Sequence, residues 1–491
     1  MLTFSVRHIW DRFSKMPMAA VVIALICGIV LAANCNTTSW AVWLAMVVIS
    51  VLLSLRWVEV ALCGVFAFGG LVFTLNSCQM LPHSEPLRLV VEICDDGVDY
   101  GSYSTYSADV VMCNGEQCRA KVRITADSLL TPKYGDVIEL NGRIRPFTPH
   151  DSSYAKSMYR QGYSGRVTMS NYRVVSYLPN ERTRLYSRAV EHLRSLTPPS
   201  EGQDVAISVT LGTRAVRRGN LSQIYSHSGA SHILAVSGLH VGLVFVLLNI
   251  LLSPLVFLWR GNIARAALVV VIIWLYVALC GYPTSAIRAA IMFTVLQLSY
   301  ITRSRHLPEN SVCTAAFVML AFDPYMLFEL SFSLSFIAVA AIIFVARPLI
   351  GMIRANGAIK GAVDMVVVST VCVIATAPLI SHSFGVVSLL SILITPLVIV
   401  TAQVIIVSNL AALVLPQGVA RIVAQSAEWC GDVQNDIVRA FTQPKLGFVE
   451  LQIDDTTMWL CYAVMMALVV VSFGFKWEIA KDKQPEEDTK K

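Results

Sequence analysis

The stretch GASHILAVSGLHVGLVF, Gly229 to Phe245, passes from polar to aliphatic within two helical turns and carries His232, Ser237, Gly238 and His240 at its entrance. The surrounding composition reads it as a membrane segment with a polar mouth. The chain has 491 residues, of which 55% are hydrophobic and 14% charged, with a mean hydropathy of +0.63, whereas a soluble domain carries about 25% charged residues. A span needs roughly 20 mostly apolar residues, and runs near 18, 40–55, 58–75, 232–259, 266–281, 286–301, 309–322, 329–346, 363–380, 384–414 and 457–474 qualify or nearly do. The fold class expected is a polytopic α-helical membrane protein of about 10–12 membrane segments, some broken or re-entrant.

Outward from Gly229 toward the N-terminus lies a connector, residues 181–229, rich in arginine (Arg182, Arg184, Arg188, Arg194, Arg214, Arg217, Arg218). It reads as amphipathic helices lying on the membrane surface. Before it, residues 80–180 alternate apolar and polar side chains in segments such as CRAKVRITA and DVIELNGRIRPF. Period-two alternation punctuated by Gly, Asn and Asp predicts strands. Five such strands in about 100 residues fit an OB-like β-barrel first, with sandwich topologies also open. Residues 1–79 hold three spans with no cleavable leader. Arg7, Arg12 and Lys15 before the first of them place the N-terminus in the cytoplasm by the positive-inside bias, and the β domain is then extracytoplasmic.

Toward the C-terminus, residues 230–475 form the main membrane domain and 476–491 a charged tail. The basic loops 260–265, 302–306 and 347–360 and the tail all fall inside if 384–414 is two half-spans broken at Thr395-Pro396. Residues 415–456 are then an outer segment containing a further amphipathic stretch. The C-terminus is then expected in the cytoplasm.

Three constellations carry polar groups into the apolar runs. The first is His232, Ser237, Gly238 and His240; Ser237 and His240 share a helix face at i, i+3. Polar side chains at membrane depth face protein or water, so the readings are helix packing, a wetted passage, or a Ser-His pair. The second is CGYPTSAIRAAIM (280–292), where Gly281 and Pro283 break a run and Ser285 and Arg288 begin the next. The third is DPYMLFELSFSLSF (323–336), where Ser331 and Ser335 share a face near Glu329. In the β domain, Arg143, Arg145, Lys156, Arg160 and Arg166 are interleaved with tyrosines, a composition that suits phosphates and stacked bases. Cys113 and Cys118 bracket NGEQ at a hairpin tip and are disulfide candidates outside the membrane, with Cys78 and Cys94 as competing partners. No zinc motif and no phosphate-binding glycine loop occurs, and no metal or cofactor is expected.

Together HILAVSGLHVG (232–242), GYPTSAIRAAIM (281–292) and DPYMLFELSFSLSF (323–336) resemble the ComEC family, the inner-membrane DNA-uptake channels of bacterial natural competence. SSYAKSMYRQGYSGRV (152–167) is similar to a stretch of the family's OB domain. The resemblance implies a channel, not an enzyme, that passes single-stranded DNA to the cytoplasm. It places His232, Ser237, Gly238, His240, Ser285, Arg288, Ser331 and Ser335 in the channel core, with Arg214, Arg217 and Arg218 attracting DNA at the mouth. It also implies a periplasmic DNA receptor and a cytoplasmic helicase-like motor as partners. Two departures are Thr284 before Ser285, and the tail KWEIAKDKQPEEDTKK where many members continue into a metallo-β-lactamase-like domain. The competing functions are an intramembrane hydrolase using Ser237 with His232 or His240, and a small-molecule or lipid exporter.

Overall fold

The computed structural model describes residues 17–481, with breaks at 35–39, 55–60, 77–80, 214–220, 258–260, 302–307, 354–356 and 443–447 and at shorter stretches between. Arg214, Arg217 and Arg218 lie outside the described residues, as does the side chain of Lys156.

The described residues begin with three apolar helices, α1 (Pro17–Asn34), α2 (Trp40–Ser54) and α3 (Ala61–Leu75). Pro17 suits the first position of α1, where its fixed φ is pre-set and its missing N–H has no partner to lose. In lipid no hydrophobic force drives apolar helices together, so close backbone approach does it instead. A Cβ on Gly28 would fall on the Phe66 carbonyl, and one on Gly69 on the Leu25 carbonyl, so α1 and α3 cross where neither has a side chain.

The β-rich region follows: β1 (Leu87–Ile93), β2 (Val98–Asp99), β3 (Tyr103–Cys113), β4 (Glu116–Asp127), β5 (Val137–Gly142), β6 (Ile144–Pro146), helix α4 (Ser153–Arg160), β7 (Tyr163–Met169) and β8 (Arg173–Ser176). The alternation read from the sequence buries Leu87, Leu89, Val91 and Ile93 on one face of β1, against Val122 and Ile124 of β4 and Ile138 and Leu140 of β5. The hydrogen-bonded order is β6-β7-β4-β3-β1-β5-β8, a path with two ends, and β4 runs parallel to β7. β3 and β4 are joined at Asn114-Gly115, whose φ values of 51° and 91° are those of a tight hairpin turn that Asn-Gly favours. The register faces Cys113 with Glu116, not with Cys118, and Cys113 carries a free thiol here.

Two further helices follow, α5 (Glu181–Leu196) and α6 (Glu201–Leu211), and then the membrane helices α7 (Gly238–Leu251), α8 (Gly261–Leu279), α9 (Thr284–Ile301), α10 (Pro308–Phe322), α11 (Leu330–Ala341, continued by a π turn Ile342–Ala346 to Ile350) and α12 (Gly357–Phe384). After strand β9 (Val386–Ser388) come α13 (Ser391–Ala412), α14 (Gln417–Thr442), strand β10 (Phe448–Glu450) and α15 (Asp455–Lys481). Among the described residues five helical stretches, Pro17–Asn34, Gly261–Leu279, Leu330–Ile350, Ile359–Phe384 and Ser391–Ala412, are long and apolar enough to cross a membrane. With the shorter apolar helices around them they make a polytopic helical membrane protein.

Two expectations are corrected. The connector does not lie wholly on a surface, because every residue of α6 from Val205 to Leu211 is buried, together with Gly202 and Gln203. Its polar groups are satisfied inside: Gln203 donates to the Thr197 carbonyl and hydroxyl, each at 2.9 Å, and Asn409 of α13 donates to the Ala206 carbonyl at 3.0 Å. Nor is 384–414 a broken pair. α13 is one continuous helix with Pro396 inside it, a position where the freed carbonyl is tolerated among packed helices. The return is made by α14, which packs along α13 and α6 with Gln434 and Asn435 buried. Pairing of β9 with β10 closes the excursion, so residues 386 and 450 stand at the same end of the bundle.

Candidate functional site

Helix α9 is the element on which the three polar constellations meet. Gly281 and Tyr282, both at positive φ (76° and 57°), turn the chain between α8 and α9, and Pro283 precedes the first turn of α9, where its carbonyl accepts from Ala286 and Ile287.

One face of α9 packs on the opening stretch. Ser285 Oγ donates to the Val236 carbonyl at 2.5 Å. One turn on, Ala289 lies against Gly238, and Phe293 against Gly242. Phe293 also stacks on Phe245 with ring centroids 4.4 Å apart, and Gln297 donates to Asn249 at 3.0 Å. Residues 285, 289, 293 and 297 recur every four positions, which lines them along one side of a helix.

The stretch itself is not one helix. Gly229, at φ 75°, turns toward β9, where a Cβ would strike Ser388, and Ser388 Oγ donates to the Ser228 carbonyl at 3.3 Å. Ser231–Ile233 forms a single 3-10 turn, with His232 exposed and its Nδ1 3.0 Å from the Gly229 carbonyl. Ser237 caps α7, and its backbone N–H donates to His240 Nδ1 at 3.3 Å. A ring nitrogen that accepts carries no proton, so the other must; His240 is thus an Nε2–H tautomer, 1% exposed, with Nε2 lacking a partner. The imidazole caps a helix and does not address the Ser237 hydroxyl through this nitrogen.

A second face of α9 turns to α11. Arg288 is 3% exposed, and its Nη2 donates to Ser331 Oγ at 3.0 Å and to Ser335 Oγ at 2.7 Å. Glu329 caps α11 beside this group. Burial, with Asp323 nearby, pushes the Glu329 carboxyl up, opposed by Lys121 and Arg288.

A further residue that the sequence did not mark, Lys121, joins this group. Lys121 lies on β4 of the β region, yet its Nζ is 4.0 Å from Asp323 and 5.6 Å above the Tyr325 ring. Asp323 caps the turn Pro324–Phe328 by accepting from the Tyr325 N–H at 3.0 Å. Gln161 donates to the Phe328 carbonyl at 3.5 Å, and Phe73 of α3 packs on Tyr325 at 5.1 Å. The β region is thereby seated on the turn that leads into Ser331 and Ser335. Outward position on an alternating strand is the signal that marks Lys121.

Of the basic residues singled out in the β region, Arg143, Arg145, Arg160 and Arg166 are exposed. Arg145 on β6 faces Arg166 on β7, which faces Arg123 on β4. These three arginines form a row across the strands, and Arg166 sits 5.9 Å from the Tyr154 ring. Arg123, overlooked in the sequence, donates to Ser107 at 2.5 Å. Among the described residues no group of three or more His, Cys, Asp or Glu could hold a metal ion.

Comparison with known proteins gives a family. Residues 209–477 match the model of the Competence protein family. The chain is 25% identical over 275 residues to ComE operon protein 3 of Bacillus subtilis (strain 168), covering 54% of this chain and 34% of that protein. It is 34% identical over 179 residues to an uncharacterized protein of Aquifex aeolicus (strain VF5), covering 36% of this chain and 39% of the relative. The chain thus spans little more than a third of the length of the curated relatives it matches. No solved structure matches. With more than half of its length under the family model, including all three constellations around α9, the protein belongs to the ComEC family of competence proteins.

Proposed function

We propose that this protein is an inner-membrane channel that imports single-stranded DNA during natural transformation. Membership of a competence family supports a role in DNA uptake. The observation that carries the finer reading is the convergence on α9 of a buried arginine, two serine hydroxyls and the histidine-bearing entrance of α7. A polyanion crossing a low-dielectric barrier needs cations and polar groups along its way, held without a tight cage that would stall it. His232, Ser237, Gly238, His240, Gly281, Pro283, Ser285, Arg288, Glu329, Ser331 and Ser335 build that passage in this reading.

The β region is read as an OB-like barrel at the periplasmic entrance. β5 and β6 are separated by Arg143 alone, yet lie toward opposite ends of the strand path, β5 beside β1 and β6 beside β7. A sheet curled nearly onto itself accounts for that. Its basic row, with Arg143 and Arg160 and with Lys156, Arg214, Arg217 and Arg218, attracts the phosphate backbone. The proposed domains are 1–79, 80–180, 181–229, 230–475 and 476–491, with both termini cytoplasmic. A periplasmic DNA receptor delivers the strand, and a cytoplasmic helicase-like motor draws it in.

The test is uptake of labelled DNA into the cytoplasm of a strain lacking the protein, complemented with wild type or with a His232→Ala/His240→Ala variant. Loss of cytoplasmic entry on deletion, with DNA still accumulating outside, is the expected result. Undiminished entry overturns the reading.

A further inference from the structure

Arg288 is a buried cation whose partners are all neutral. Its Nη2 serves the hydroxyls of Ser331 and Ser335, its Nε is buried without a partner, and among the described residues no carboxylate stands within 4.0 Å of it. Arginines held inside membrane proteins for structure pair with carboxylates or backbone carbonyls. A guanidinium has five donors in a planar fork matched to two oxygens of a phosphate, so this one is under-used.

The surroundings fit an incoming anion. Ser331 is exposed while Arg288 behind it is not, so the guanidinium lies one hydroxyl away from accessible space. Ser331 and Ser335 are one turn apart on α11 and both face Arg288. Serine hydroxyls rotate freely and serve equally as acceptors from arginine or as donors to an oxyanion. Burial raises the pKa of the Glu329 carboxyl, the one nearest in effect, with Lys121 and Arg288 opposing.

We propose that Arg288, Ser331 and Ser335 form a subsite for one phosphodiester group, in which the two hydroxyls occupy the guanidinium until a phosphate of the strand displaces them and accepts from all three side chains. The proposal rests on the channel reading and deepens it.

The experiment compares DNA import by wild type, Arg288→Lys and Arg288→Gln, each at measured membrane level, using a phosphodiester strand and the same strand carrying a run of uncharged methylphosphonate linkages. Import of the natural strand is expected to fall tenfold or more in Arg288→Gln and a few-fold in Arg288→Lys, which keeps the charge without the fork. The methylphosphonate run is expected to slow wild type and to erase most of the difference among the three proteins. Should Arg288→Gln fail to accumulate, the comparison of wild type with Arg288→Lys on the two strands carries the test. Deletion that stops import while the Arg288 variants import both strands as wild type does overturns the subsite alone. A variant loss of equal size for both strands also overturns it, because a packing role ignores strand charge. Deletion that leaves import intact overturns the channel reading itself.

Discussion

Lys121 and Asp323 meet at 4.0 Å across the junction between the β region and the turn that caps α11. Both side chains are about one-third exposed, and such pairs contribute roughly 0.2–1 kcal/mol. Asp323→Asn is therefore expected to loosen the junction little. Tyr325 is another matter, since it is buried and touches Lys121, Phe73 and the Gly162 position together. Tyr325→Ala is expected to cost about 3–5 kcal/mol, as for large aromatic deletions, and to expose the β region to protease. Limited proteolysis and thermal unfolding in detergent check both variants; equal effects refute the ranking.

Gln297 and Asn249 form a polar rung in an otherwise apolar seam, with Gln297 1% exposed and its Oε1 unpartnered. Truncating one partner strands a buried amide, at about 1–3 kcal/mol, whereas replacing both by apolar groups of like size is close to neutral. Asn249→Ala should therefore be less stable than Asn249→Leu/Gln297→Leu. A double-mutant cycle measures it, and additive losses count against the rung.

Gly229 stands at φ 75°, and a Cβ there would approach Ser388 Cβ to 2.8 Å. Gly229→Ala is expected to lose roughly 1–2 kcal/mol from backbone strain and more from the clash. Adding Ser388→Gly should relieve the nearer part of the clash, leaving the approach to Ser391 Cβ at 3.0 Å and the backbone strain. Melting temperatures of the three proteins test the division, and full rescue would show that backbone strain plays no part.

Asp454 precedes α15 and accepts from the hydroxyls of Thr456 and Thr457, which holds its carboxyl down at about 2. A carboxylate near 3.9 in the unfolded chain and near 2 when folded stabilises above its unfolded value, and that contribution fades as pH falls toward 2. Wild type should accordingly lose more stability than Asp454→Asn between pH 5 and pH 2. Parallel pH profiles of the two proteins would refute the assignment.

Much of this architecture was legible in advance because it follows local rules. Alternation located β1 and β4, Asn114-Gly115 marked the hairpin, and Gly281 with Pro283 marked the break before α9. That Arg288, Ser331 and Ser335 share one site was visible only as separate polar residues in apolar runs, since helix pairing leaves no period in the sequence. The reading of α6 failed for a related reason. The arginine-rich connector suggests a surface, and composition cannot distinguish solvated polar groups from those bonded within the core, as Gln203 is to Thr197. Pro396 misled because its neighbours, not its φ, decide whether a helix survives. Lys121 escaped notice because its partner is set by how the β region docks.

The buried helix α6 has a further consequence, in time. Its Ala206 carbonyl is served by Asn409, 203 residues later in the chain, and Ser200 at its start bonds Glu428. At a synthesis rate of about 5–20 residues per second, α6 waits roughly 10–40 s for these partners. Through that interval it must be sheltered at the membrane, by the bilayer surface or by the insertion machinery. A ribosome stalled before residue 409 therefore leaves a chain whose earlier spans can be in place while its core helix has nowhere to go.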